Sequence, residues 1–259
     1  MTNYYFLANL CPPLSLDAEP EITFSQFMGY LRINLTSKDL KKALTIQLFL
    51  DLYNLRALWL DQPLDSRGSR SKLDMQDDIS TKTGFEEYVL DFLDRFDNPK
   101  EYLKAFPFLI DAYFKNEEAE ATGFLKAYLK FERDTRLIIA AFRAFKLKKD
   151  LLEELSFEDP QDPLVAMLIL QKDAKTFEVP EEYEALKNVF EKYNDNPLDQ
   201  FKALCQYRFD KVEEMKGDNV FTIDAQLAYL VELLIVENWQ QTKQESGHEI
   251  IESIVKVIK

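Results

Sequence analysis

Three stretches of this 259-residue chain are dense apolar runs at helical length, each interrupted by charged residues: two in the first, two in the third and a cluster of five in the second. They run from Thr45 to Leu60, from Ala127 to Phe142 and from Ala225 to Trp239, and the last two share Ala-Tyr-Leu at 127–129 and 228–230. A helix apolar on every side is a buried helix. A carboxylate inside it must be paired or hydrogen-bonded, because losing its partner costs about 3–5 kcal/mol. The matching carboxylates are Asp51, Glu132 and Glu232. Likeness at long spacing within one chain points to one structural unit used several times. The expected unit is a helical bundle whose central helix carries a carboxylate that ties it to a neighbour.

The rest of the chain is also helical in pattern. Thr36 stands three before Asp39 and Thr83 three before Glu86, each a capping-box spacing. Proline falls where a first helical turn tolerates it, at Asn98-Pro99, Asp162-Pro163, Val179-Pro180 and Asn196-Pro197. Amphipathic runs follow at about 84–96, 99–115, 163–172, 180–193 and 197–216. Thr222 and Asp224 start the third long element, Gly247 is expected to stop it, and residues 248–259 to form a short terminal helix. No alternating Val/Ile/Thr run demands a sheet. The expected fold is all-α, a funnel-like assembly of two to three similar helical-bundle modules.

Composition sets the boundaries. Residues 4–13 read as an extended or short helical lead-in ending at Cys11-Pro-Pro. The segment from Asp61 to Lys82, with Asp-Ser-Arg-Gly-Ser-Arg-Ser, is polar and without periodicity, so it reads as a mobile linker. That gives three parts: 1–82, a first module ending in the linker; 83–157, a second; and 158–259, a third closed by the long C-terminal helix.

Charge and counts exclude several classes of function. A formal net charge of −14 opposes phosphate backbones and anionic lipid, so nucleic acid is not an expected partner. Two distant cysteines, Cys11 and Cys205, read as buried thiols in a reducing compartment. No segment reaches the ~18–20 apolar residues of a membrane span, and the N-terminus has no basic leader, so a cytoplasmic protein is expected. A single histidine, His248, cannot build a multi-histidine metal site. There is no Gly-rich phosphate loop among only 6 glycines. Asp74, Asp77 and Asp78 lie in the linker and read as a solvated charge run. No catalytic, metal or cofactor residue is expected.

The intrusive polar residues remain. Asp51 and Asn54 are three apart and share a helix face, while Arg56 points elsewhere. In the second stretch the residues that match by pattern are Glu132, Asp134 and Arg136; in the third, Glu232 is the only charge between Ala225 and Val236. All are expected to be structural inter-helix ties.

Asp51-Leu-Tyr-Asn54-Leu55-Arg56 resembles an acid-x-x-Asn-[Ile/Leu]-Arg pattern found in one family of V/A-type (vacuolar/archaeal-type) ATPase components. That component is named C in archaeal-type enzymes and d in eukaryotic ones. The order Ala228-Tyr-Leu-Val-Glu232, Lys243, Gly247 and Glu249-Ile-Ile251 is similar to that family's C-terminus. The second copy lacks the Asn, and the third lacks both Asn and Arg. The resemblance implies a non-catalytic rotor cap, monomeric in isolation and peripheral to the inner membrane through protein contacts. Its partners would be the central-stalk subunits and the membrane rotor ring. A generic helical adaptor that holds a partner in a groove between helices is the alternative expectation.

Overall fold

The computed structural model describes residues 3–193 and 196–258, with side chains described through Glu245. The elements are α1 (Tyr5–Asn9), α2 (Phe24–Asn34), α3 (Ser37–Trp59), α4 (Lys72–Thr81), α5 (Glu87–Arg95), α6 (Pro99–Glu120) and α7 (Phe124–Lys146). After these come α8 (Leu151–Glu154), α9 (Pro163–Ile169), a single 3-10 turn at Glu181–Tyr183, α10 (Glu184–Lys192), α11 (Pro197–Met215) and α12 (Ile223–Ile258). No strand occurs among the described residues, and the class is all-α.

Local chemistry sets many helix starts. Asn98, Asp162 and Asn196 each precede a proline in the first helical turn, and each side chain accepts from an otherwise unpaired amide. The donors are Glu101 N for Asn98, Leu164 N and Val165 N for Asp162, and Asp199 N for Asn196. Full capping boxes open α2 (Thr23 with Gln26) and α4 (Ser71 with Asp74). The spacing at Thr83 and Glu86 builds no such box: α5 starts after Glu86 without a side-chain cap.

The chain forms two compact units, Met1–Ala43 with Glu181–Lys259, and Leu44–Pro180. This follows other lines than the expected division at 82 and 157, because α2 packs against α12 across the whole sequence. In the first unit, Leu227, Ala228, Leu230, Leu233 and Val236 of α12 are completely buried, which explains a helix apolar on every side. Phe24, Phe27 and Leu31 of α2 face it; the Phe27 ring meets Tyr229 edge-on at 5.0 Å. The lead-in is fastened to the same helix. Tyr229 Oη donates to Pro12 O (3.0 Å), and Gln240 Nε2 donates to Leu16 O (2.6 Å). It is a short helix, α1, and not a strand.

In the second unit, α6 packs between α5 and α7, and α8 and α9 pack on α7. Trp59 stacks on Tyr102 at 4.8 Å, and Phe49 sits among Tyr53, Tyr113 and Phe114. Buried Tyr113 donates its hydroxyl to Thr45 O (3.0 Å), pinning α6 to α3.

Two expectations are corrected. Gly247 does not stop the last helix: α12 continues through it to Ile258, since one glycine within a helix costs only about 1 kcal/mol. The segment 61–82 is not a mobile linker. Its second half is α4, with Met75 fully buried, and its first half is hydrogen-bonded to α3.

Candidate functional site

Three groups of buried charge stand where the sequence points, and each is built differently. The first is a clamp on the 61–71 loop. Asp51 is 1% exposed; its Oδ1 accepts from Ser69 N (2.7 Å), and its Oδ2 accepts from Ser69 Oγ (2.5 Å) and Arg70 Nη1 (3.1 Å). One turn along the same face, Asn54 grips the backbone of Asp65 from both sides. Its Nδ2 donates to Asp65 O (2.9 Å), and its Oδ1 accepts from Asp65 N (2.7 Å). One turn before, Gln47 Nε2 donates to Arg67 O (2.8 Å). Positions 47, 51 and 54 form one stripe of a helix, and here the stripe reads a loop. The ties are helix to loop, where helix to helix was expected.

Arg70 extends the clamp. It pairs with Asp78 of α4 through Nε (3.1 Å), donates to Gly84 O, and lies over the Phe85 ring at 4.6 Å. Gly68 is obligatory by close approach, since a Cβ there would stand 2.4 Å from Asn54 Nδ2 and 2.7 Å from Asp51 Oδ1. Gly68→Ala should therefore lower the unfolding free energy of this unit by about 1–3 kcal/mol, the usual overpacking range. Urea titration followed by Trp59 fluorescence measures it. An unchanged midpoint would mean the loop is not held this way. Arg56 takes no part: it is exposed and lies over the Phe106 ring at 5.8 Å.

A depression of about 620 Å³ opens beside the clamp, lined by Pro63, Ser66, Ser71 and Lys72 among others. Its cations already have acids. Arg67 binds Asp65, Arg70 binds Asp51 and Asp78, and Lys72 lies 3.3 Å from Asp61.

The second group surrounds α7. Asp134 is buried and pairs with Lys130 (2.7 Å) and Arg133 (3.4 Å). Arg133 also binds Asp162, the cap of α9, at 2.6 Å. Arg136 binds Glu158 at 3.1 Å, beyond the end of α8. Glu132, the residue matched to Asp51, is only half-buried. Burial, with Asp111 adding and Arg136 opposing, raises the Glu158 carboxyl to about 7. Asp111 Oδ1 and Glu158 Oε2 are both buried without a hydrogen-bond partner. Asp111 is paired through its other oxygen with Lys115 at 2.7 Å, and Glu158 through its other oxygen with Arg136.

The third group is Glu232 on α12, almost wholly buried, with Lys216 Nζ at 3.6 Å and Lys216 itself 2.5 Å from Glu213. Burial pushes the Glu232 carboxyl up to about 8; Lys216 opposes this and Glu213 adds to it. Nearby, burial and Glu232 raise the Cys11 thiol to about 12, and its Sγ donates to Leu7 O (3.2 Å). Such a thiol stays protonated and is a poor nucleophile. Cys205 is likewise raised, to about 11, by burial. His248 lies outside the residues whose side chains are described.

Sequence reasoning missed Gln47, Ser69 and Arg70 of the clamp, Asp111 and Glu158 around α7, and Lys216 beside Glu232. Only Ser69 and Arg70 left a trace: a loop of clustered Ser and Arg offers donors in number, and a buried Asp and Asn one turn apart require them.

Fold and buried charges together define an all-helical protein whose ionic groups fasten its own helices and loops. The chain belongs to the family described as protein of unknown function (DUF2764), whose model matches residues 1–259. It is 31% identical to an uncharacterized protein of Chlamydia muridarum and 29% identical to one of Chlamydia trachomatis, each match covering 100% of both chains. A third such relative, from Chlamydia pneumoniae, is 29% identical over the same extent. No solved structure matches the chain significantly. These matches overturn the resemblance to the V/A-type ATPase component, because another family accounts for the chain from end to end. The Asp51-x-x-Asn54 spacing that carried the resemblance has a local cause in the loop it holds. No helix among the described residues is long and apolar enough to cross a membrane.

Proposed function

We propose that this protein is a non-catalytic helical coupling protein, a stiff body that joins partners within a larger assembly. The observation that carries this reading is the saturation of the clamp: Asp51, Asn54 and Arg70 are all engaged by the chain's own groups, which stiffens the body and leaves little there for a substrate. As the host assembly we propose a rotary ATPase of the V/A type, with this chain between the central stalk and the membrane rotor ring. With the family resemblance gone, that choice rests on mechanical suitability: a body that passes torque needs buried ties of this kind. A funnel-like arrangement of similar modules, with α3, α7 and α12 in equivalent places, belongs to the same proposal.

One observation favours an adaptor that binds a partner in a groove. In the first unit a groove of about 580 Å³ runs along α10 and α11, lined by Val189, Lys192, Tyr193, Lys202 and Tyr207 among others. The two readings separate in one experiment. Affinity capture of the tagged full-length chain from its native cells should recover central-stalk and rotor subunits if it is the coupling protein, and association should weaken as salt rises. Capture of other proteins in constant ratio, abolished by Val189→Arg, would replace the rotary reading with the adaptor. Turnover of a substrate by the isolated chain would overturn both.

A further inference from the structure

The groove along α10 and α11 has a charge pattern as well as a shape. Only residues 193–196 separate the two helices, so they run antiparallel and line the groove turn by turn. Ala185 and Val189 of α10 and Ala203 of α11 are small, which lets another helix come close. Asp199 and Asp210 line the α11 wall eleven residues apart, on one stripe and about 16 Å from each other along the axis. Both are exposed, and neither meets a cation among the described residues. Asp199 accepts from Asn196 Nδ2 (2.6 Å), and Asp210 accepts from Gln206 Nε2 (2.7 Å). Lys202, the cation of the same wall, is already paired with Asp17 (2.8 Å) and lies over the Trp239 ring at 5.6 Å. On the facing wall Lys192 is exposed, lies over the Tyr193 ring at 5.0 Å and pairs with no acid among the described residues. Glu184 and Glu191, the exposed acids of α10, do not line the groove. The two walls are therefore of opposite sign.

We propose that this groove takes one amphipathic helix of a partner protein, with two cations eleven residues apart on the flank that meets α11 and an acid on the flank that meets α10. The proposal deepens the reading of the groove as a partner-binding surface and rests on it. Shape and charge select this occupant together. An amphipathic helix lays its apolar face into a groove of this kind, and cations eleven apart on it share a stripe with the same rise as Asp199 and Asp210. A small molecule is held by polar groups that converge on one spot, whereas these charges are spread along two walls. Opposite walls also fix direction. Lys192 and Asp199 both stand close to the turn between the helices, so the partner's acid belongs beside the first of its two cations. Laying the helix the other way exchanges its flanks and sets like charges together, which disfavours that pose.

The test is selection, on the full-length chain, from a phage-displayed library of amphipathic helical peptides of about five turns. The apolar stripe is fixed, and the flank positions vary among Lys, Glu and Gln. Enrichment of peptides with cations eleven apart on one flank and an acid on the other is expected. A synthetic peptide of that pattern should bind more tightly than its isomer with Lys and Glu exchanged, and the preference should shrink as salt rises. Asp199→Asn with Asp210→Asn should lower its affinity by about threefold to tenfold. Val189→Arg sets a charge on the apolar floor and should lower it by about tenfold or more. None of these three side chains is buried, so circular dichroism of the variants should match the natural chain. Enriched peptides of another charge pattern would leave the groove a binding surface and overturn this occupant. Absence of enrichment over the Val189→Arg chain would overturn the occupant and the groove reading together. A dimer of the chain that Val189→Arg splits would assign the groove to a second copy and likewise overturn the proposal.

Discussion

Deleting residues 61–82 and rejoining the ends through a short linker will unfold the second unit in conditions where the intact chain is folded. Three side chains of α3 lose their partners at once: Gln47, Asp51 and Asn54 all bond the removed loop. Stripping a buried charge of its partners costs about 3–5 kcal/mol. The deletion also removes fully buried Met75, whose burial contributes about 1.5–3 kcal/mol. The sum approaches the whole stability of an ordinary domain, about 5–15 kcal/mol. The two tryptophans make the result readable, because Trp59 lies in the second unit and Trp239 in the first. In single-tryptophan variants, Trp59 emission should report unfolding at low urea in the deleted chain. An unchanged Trp59 midpoint would return the segment to the status of a linker.

The second large effect is a loss of stability with rising pH in the first unit. An unfolded chain leaves Glu232 at its ordinary 4.5, whereas burial in the fold raises it to about 8. Between these values the folded state binds more protons than the unfolded state, so stability falls as pH rises. The contribution is complete below about pH 4.5, declines through the window and is gone above about pH 8. At about 1.4 kcal/mol per pH unit between 4.5 and about 8, its size is at most about 5 kcal/mol. Glu232→Gln, which cannot ionise, should flatten the profile and be more stable than the natural chain at high pH. Glu232→Leu should be less stable than Glu232→Gln at every pH, because it offers Lys216 and Glu213 no polar partner. Urea unfolding followed at Trp239 across the pH range measures both variants; a profile equally steep in the Gln variant would refute the assignment. Glu158, raised to about 7, predicts the same sign of effect in the second unit over a lower window.

Helices were legible in the sequence because their causes are local. Asn98, Asp162 and Asn196 before proline each start a helix through their own side chains, and the apolar stretches of α3, α7 and α12 are long enough to leave no other reading. What the loop 61–71 does was not legible. Its polarity is the same whether water or a buried helix stripe satisfies it, and only the fold brings Ser69 and Asp65 to Asp51 and Asn54. Periodicity likewise placed Asp51 and Asn54 on one face without saying what that face meets. In the second stretch, matching residues by pattern chose Glu132, whereas the wholly buried carboxylate is Asp134, two positions on. Two positions turn a helix by more than half a circle, and pattern matching cannot choose between such registers. The partners Asp111, Glu158 and Lys216 lie far off in the chain, where no local signal leads.

The make-up of the first unit bears on how this chain is born. Residues 1–43 form one compact unit with 181–259, while 44–180 form a unit of their own. During synthesis the middle of the chain can therefore fold while the beginning waits. Phe24, Phe27 and Leu31, wholly buried in the finished protein, stay uncovered on the nascent chain until α12 leaves the ribosome. Exposed apolar side chains in that interval invite association. A circular permutant that begins at 181 and continues from 259 through residue 1 would make the first unit continuous in sequence, shorten the loop that must close, and reduce the need for a chaperone during expression.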